Sequence, residues 1–111
     1  MRKLKLKIND KDYTLEMNRD TIKWLEANGF NIEDFDKKPV TYHDLLWYGL
    51  FLANHKDVNP NLALKLMETY SKEHKLSQVI KFAIEEYNAF MFALADINSE
   101  KNDEVLEITE V

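Results

Sequence analysis

The apolar residues change period once, after Met17, and that change divides the chain into two kinds of structure. Leu4, Leu6 and Ile8 alternate with Lys3, Lys5 and Lys7, and Tyr13, Leu15 and Met17 alternate with Thr14 and Glu16. Period two is the signature of half-buried strands. Asn9-Asp10-Lys11-Asp12 separates the two runs, and Asn and Asp accept the left-handed turn conformations that close a hairpin. The spacing predicts an N-terminal hairpin with one apolar and one charged face. Two strands alone are marginal in water, so the apolar face must pack on helices or on another subunit.

Beyond Met17 the spacing becomes three and four. Asn18 or Asp20 can cap a short helix holding Ile22, Trp24, Leu25 and Ala27, with Asn28-Gly29 as its left-handed stop and Phe30 folding back. Ile32 and Phe35 suggest one loose turn that Lys37-Lys38-Pro39 ends. Thr41 with Asp44 resembles a capping box, which predicts a helix from Tyr42 to about Asn54. Its apolar set, Leu45 to Tyr48 and Leu50 to Leu52, covers most of the circumference. Such a helix is central in the domain or meets a partner. Gly49 inside it costs about 1 kcal/mol relative to Ala; close helix approach would be a physical reason for it. Asn59-Pro60 opens another helix, carrying Leu62, Ala63, Leu66, Met67 and Tyr70 and fading near His74. Ser71 or Ser77 can cap the last and longest helix, with Val79, Ile80, Ala83, Ile84, Tyr87, Phe90, Met91 and Leu94 as its stripe; Phe82 and Phe92 fall off it.

With 2 Gly and 2 Pro in 111 residues, few loops are available. The expected fold is α+β, mostly helical: an N-terminal β-hairpin followed by about four helical segments. Residues 1–97 form a single compact domain, and 98–111 a flexible acidic tail bearing Glu100, Asp103, Glu104, Glu107 and Glu110 against Lys101.

The same residues exclude much chemistry. No cysteine is present, which removes disulfides, thiolate nucleophiles and cysteine zinc sites. The three histidines, His43, His55 and His74, form no metalloprotease pattern. His43 reads as a surface residue, and His55 and His74 as complements to helix dipoles. Glu33-Asp34, Glu85-Glu86 and Asp103-Glu104 are acidic pairs, but acid–base catalysis needs two carboxylates converging in a cleft. Glu85 and Glu86 read as a solvated helix face. The serines lack an elbow motif and no glycine-rich phosphate loop exists. The expectation is a non-enzyme with no cofactor and no metal. The net charge is -5, with a small basic cluster at Arg2, Lys3, Lys5, Lys7 and Lys11. That cluster suits a nucleic-acid backbone, but a solvated sheet face looks the same. No apolar run is long enough for a membrane span, and no signal-peptide stretch opens the chain, so an intracellular protein is expected.

What remains is aromatic surface. Trp24, Phe51 and Phe90 read best as core, whereas Trp47, Tyr48, Phe82 and Phe92 are divided between core and interface. Aromatics are over-represented at interface hot spots. The candidate protein-binding residues are Trp47, Tyr48, Leu50, Phe51, Phe82, Tyr87, Phe90 and Phe92. A groove for an amphipathic helix is expected along Trp47, Leu50, Phe51, Tyr87 and Phe90. The limited core of a chain this size would also gain from oligomerisation.

The order of these features resembles the small tail assembly chaperones of long-tailed bacteriophages and prophages of Gram-positive bacteria. Leu4-Lys5-Leu6-Lys7-Ile8-Asn9-Asp10-Lys11-Asp12-Tyr13 is similar to that family's strand–turn–strand opening, with Asp10 where Gly is commoner. Asp44-Leu45-Leu46-Trp47-Tyr48-Gly49-Leu50 is similar to its central helix, and Val58-Asn59-Pro60-Asn61-Leu62-Ala63 to the connector into the next one. The likeness covers about residues 3–95 and rests on order and spacing. It implies a non-enzymatic chaperone that holds hydrophobic helical stretches of the tape measure protein soluble and helps tail tube subunits assemble. It also implies self-association, a frameshifted longer form that recruits the tail tube protein, residence in the host cytoplasm and absence from the mature virion. The alternatives are another phage or prophage accessory protein-binding module, a small nucleic-acid-binding regulator, and, on residue chemistry alone, an enzyme.

Overall fold

The computed structural model describes the backbone of residues 2–110 and the side chains of residues 2–95. The element order is a hairpin and then helices, as the change of period predicts. Strand β1 is Lys3–Ile8 and strand β2 is Lys11–Glu16. They pair antiparallel, Lys3 opposite Glu16 and Ile8 opposite Lys11. Only Asn9 and Asp10 form the turn, with φ of 52° and 62°. Two consecutive left-handed residues make a type I′ turn, whose twist matches that of the flanking strands. Lys11 and Asp12, expected in the turn, already belong to β2. In this register Leu4, Leu6 and Ile8 share a face with Tyr13, Leu15 and Met17, and that face is covered by helices.

Helix α1, Arg19–Ala27, starts at Asn18, whose Oδ1 accepts from the Thr21 N–H at 2.8 Å. It ends as the sequence implies. Gly29 takes φ of 84°, the Phe30 N–H donates to the Leu25 carbonyl at 2.9 Å, and the Gly29 N–H donates to Glu26. That double closure is the Schellman motif, with Leu25 and Phe30 as its apolar contact. A single 3-10 turn, Ile32–Asp34, follows.

Helix α2 is Pro39–Phe51, so both of its expected boundaries shift. The Thr41–Asp44 capping box is not used, and no side chain caps this end. Pro39 opens the helix instead of closing the preceding turn. Its ring presets a helical φ and its missing N–H needs no partner in the first turn. Helix α3 is Pro60–Ser71, with Asn59 Oδ1 accepting from the Leu62 N–H at 2.8 Å. Helix α4 is Leu76–Glu110. Neither candidate serine caps it: Ser71 is the last residue of α3, and Ser77 lies inside α4. The expected domain limit at residue 97 and the flexible acidic tail at 98–111 fall outside the residues whose side chains are described.

Helix α2 is the centre of the molecule. It touches β2, α1, α3 and α4, and Leu46, Trp47, Leu50 and Phe51 are fully buried. The buried indole Nε1–H of Trp47 donates to the Ala63 carbonyl of α3 at 2.8 Å, so the largest core side chain brings no orphan donor inside. Gly49 faces α1. A Cβ built there would lie 3.5 Å from Leu25 and Thr21 and 3.6 Å from Trp24. The helices therefore meet closely, with room for one methyl group and no more.

His55 does not act on the helix dipole. Its Nε2 accepts from the Thr14 backbone N–H at 2.9 Å, and its ring packs edge-on against Tyr13 at 5.0 Å. The imidazole thereby gives β2 a side-chain acceptor and ties the hairpin to the C-terminal end of α2. His74 stacks on Tyr70 at 4.9 Å, and His43 Nδ1 lies 2.6 Å from the Pro39 carbonyl oxygen.

Two outcomes follow for stability. Gly49→Ala should raise the free energy of unfolding by about 0.5–1 kcal/mol, because the methyl group fits and Ala is the better helix former. Gly49→Val should instead lower it, by about 1–3 kcal/mol from overpacking. His55→Ala, which leaves the Thr14 N–H without its acceptor, should cost about 1–3 kcal/mol, while exposed His74→Ala should cost less. Urea unfolding of the four variants checks both.

Candidate protein-binding surfaces

The fold separates the expected binding residues into three groups. Trp47, Leu50 and Phe51 are fully buried. Trp47 tilts onto Phe51 at 5.2 Å, and Phe51 meets the edge of Tyr13 at 5.5 Å. The groove expected along them is therefore filled by the hairpin and α3. An apolar circumference that wide is consumed by four neighbours, and no face along these three residues stays open to a partner.

Phe82 and Tyr87 are also buried, so Phe82 belongs to the core despite falling off the α4 stripe. The Arg2 guanidinium sits 5.5 Å from the Phe82 ring centre. Tyr87 meets Phe30 edge-on at 5.2 Å. Burial pushes the Tyr87 hydroxyl pKa above its ordinary value, and Glu26 adds to the shift. Burial alone does the same at Tyr70.

The third group reaches the surface. Phe92 is 71% exposed, and Tyr48 and Phe90 are half-buried. The Arg19 guanidinium covers Phe90 at 5.3 Å. Tyr48 stands edge-on to Trp24 at 5.3 Å. These two rings, with Leu45, Pro60, Ala63 and Leu64, form the apolar walls of an open cavity of about 350 Å³ between α1, α2 and α3. Asn28, Thr41 and Asp44 complete its lining. Leu64 is 41% exposed. Trp24, Leu45 and Leu64 were not among the sequence candidates. Leu45 and Tyr48, three apart on α2, are the part of its apolar circumference that the core leaves half-exposed, and helical spacing alone does not set them apart from the buried part.

Charge is arranged locally. Glu86 is buried, contrary to the solvated face expected for Glu85-Glu86. It accepts from the Arg2 backbone N–H at 2.7 Å and from Arg2 Nε at 2.9 Å. Glu86 lies one turn from Phe82 and Phe90, on the inner side of α4, and the chain start supplies the cation that its burial requires. Glu86, hydrogen-bonded and oppositely charged, raises the Arg2 guanidinium pKa above its ordinary value. Glu85 turns outward, 3.5 Å from Arg2, so the two carboxylates do not converge on a cleft. The basic cluster is partly neutralised as well. Lys3 lies 4.0 Å from Glu16 and Lys11 3.6 Å from Asp57, which leaves Lys5 and Lys7 as its exposed members without an ion pair among the described residues. Among those residues, no group of three His, Asp or Glu is placed to hold a metal ion. No described helix is long and apolar enough to cross a membrane.

Neither the curated proteins nor the solved structures contain a match to this chain. A family model described as a domain of unknown function, DUF5055, matches residues 1–109. The hairpin, the first three helices, all but the last residue of α4 and the surfaces above lie within that span, and the chain belongs to the DUF5055 family.

Proposed function

We propose that this protein is a non-enzymatic tail assembly chaperone of a long-tailed phage or prophage. In this reading it binds hydrophobic helical stretches of the tape measure protein in the host cytoplasm and helps the tail tube assemble. A frameshifted longer form recruits the tail tube protein, the chaperone self-associates, and the mature virion lacks it. The motifs at Leu4–Tyr13, Asp44–Leu50 and Val58–Ala63 support the family likeness.

The observation that carries the binding role is the cavity between α1, α2 and α3. Trp24, Tyr48 and Leu45 offer rigid apolar walls, and Leu64 stands exposed at its edge. A helix that lays apolar residues at spacings of three and four into such a depression buries them without unsatisfied backbone groups, because its own hydrogen bonds are internal. Asp44 and Asn28 add polar contacts at the same site. The cavity replaces the buried Trp47–Phe51 groove as the place where the client would bind.

Co-expression with fragments of the tape measure protein from the same genome tests this, read by size-exclusion chromatography with light scattering. A fragment that is insoluble alone should become soluble in a defined complex. Leu64→Glu, at an exposed position, should leave the fold intact and weaken that complex at least about tenfold, or about 1.4 kcal/mol. Fragments that stay insoluble beside a well-folded chain would refute the chaperone reading. Capture of a compact partner instead would favour a different accessory binding module.

A further inference from the structure

Residues 89–95 of α4 read Ala-Phe-Met-Phe-Ala-Leu-Ala, seven consecutive apolar residues in about two helical turns. A helix apolar all round is normally buried all round. Here Phe90 and Leu94 are half-buried, while Ala89, Met91, Phe92, Ala93 and Ala95 are exposed. Phe92 is the centre of an outward stripe. Lys81, Glu85, Asn88 and Phe92 follow at steps of four, three and four, and each is exposed. Nothing in the chain covers this side of α4 among the described residues.

We infer that the outer stripe of α4 is a self-association surface, on which a second copy of this chain docks its own α4 antiparallel, with the two helices crossing at Phe92. Charge selects both the occupant and the direction. From Asp96 onward the sequence is acidic, with Asp96, Glu100, Asp103, Glu104, Glu107 and Glu110 against Lys101. The other end of the helix and the turn before it carry exposed Lys72, Lys75 and Lys81 against exposed Glu73, a net positive charge. An antiparallel pair lays the acidic half of each α4 along the basic start of its partner. A parallel pair would set the two acidic halves side by side, at a cost in like-charge repulsion. Glu85, the one acid on the stripe, is already 3.5 Å from Arg2. At the crossing point the two Phe92 rings meet on the two-fold axis and remove each other from water, as an isologous contact requires. None of these residues lines the α1–α2–α3 cavity, so loss of pairing and loss of client binding are separately measurable.

The full chain, studied by light scattering and sedimentation over a hundredfold range of concentration, should show a dimer. Phe92→Glu should make it monomeric with an unchanged circular dichroism spectrum, since that side chain makes little contact within its own fold. The absence of cysteine allows a direct test of direction. Phe92→Cys should form a disulfide-linked dimer on mild oxidation. Asn88→Cys should not, because in an antiparallel pair crossing at 92 the two positions lie about 12 Å apart along the axis, beyond the roughly 7 Å limit for a disulfide. A monomer at every concentration, a dimer that survives Phe92→Glu, or cross-linking at 88 as fast as at 92 would each overturn the inference.

Discussion

The burial of Leu46, Trp47, Leu50 and Phe51 of α2 among four neighbouring elements is the constraint on which the rest of the fold depends. Full enclosure of these side chains requires covering elements around them, and β2, α1, α3 and α4 are those elements. Trp47 fixes the arrangement most firmly. Its ring fills the space between α2 and α3, and its indole N–H has one internal partner, the Ala63 carbonyl. A shift of α3 along α2 would break that bond inside the core, where water cannot replace it. Gly49 sets the opposite flank by letting α1 approach to ordinary contact distance.

The hairpin is held by different physics. It is two strands, too small to stand alone, and its apolar face closes the core. Polar links then fix its position, among them Asn54 Nδ2 donating to Glu16 Oε1 at 2.8 Å. His55 accepts from the backbone of β2, and Arg2 binds Glu86 of α4 through both its backbone and its side chain. These contacts join residues far apart in sequence, so they reward only the completed fold. They also account for three groups whose surroundings differ from a local reading. Glu86 is a buried ion-pair partner, His55 is a hydrogen-bond acceptor, and Arg2 is held by Glu86.

Among the described residues, two of the apolar surfaces left open carry the proposed partners. One is the Trp24–Tyr48 cavity, where α1, α2 and α3 diverge. The other is the outer side of α4 around Phe92. The residues expected to bind partners divide accordingly. Tyr48 and Phe92 face open space, Phe90 lies under Arg19, and Trp47, Leu50, Phe51, Phe82 and Tyr87 are inside. In the proposed reading the client and the second copy take different surfaces, so neither would block the other.

Local rules decided the elements. Period two before residue 17, the Asn9-Asp10 turn, the Asn18 and Asn59 caps, Pro60 and the Gly29 stop act over a few residues. Their signals stand in the sequence because their physics is local. Even the misplaced start of α2 followed from weighing one local signal, Thr41–Asp44, above another, Pro39. Which apolar residues lie inside was decided only by the tertiary structure. Tyr48 and Leu50 both belong to an apolar run on α2, yet one is fully buried and the other lines an open cavity. That difference depends on where α1, α3, α4 and the hairpin come to rest. Helical periodicity assigns a residue to a face, but burial depends on what another part of the chain lays over it.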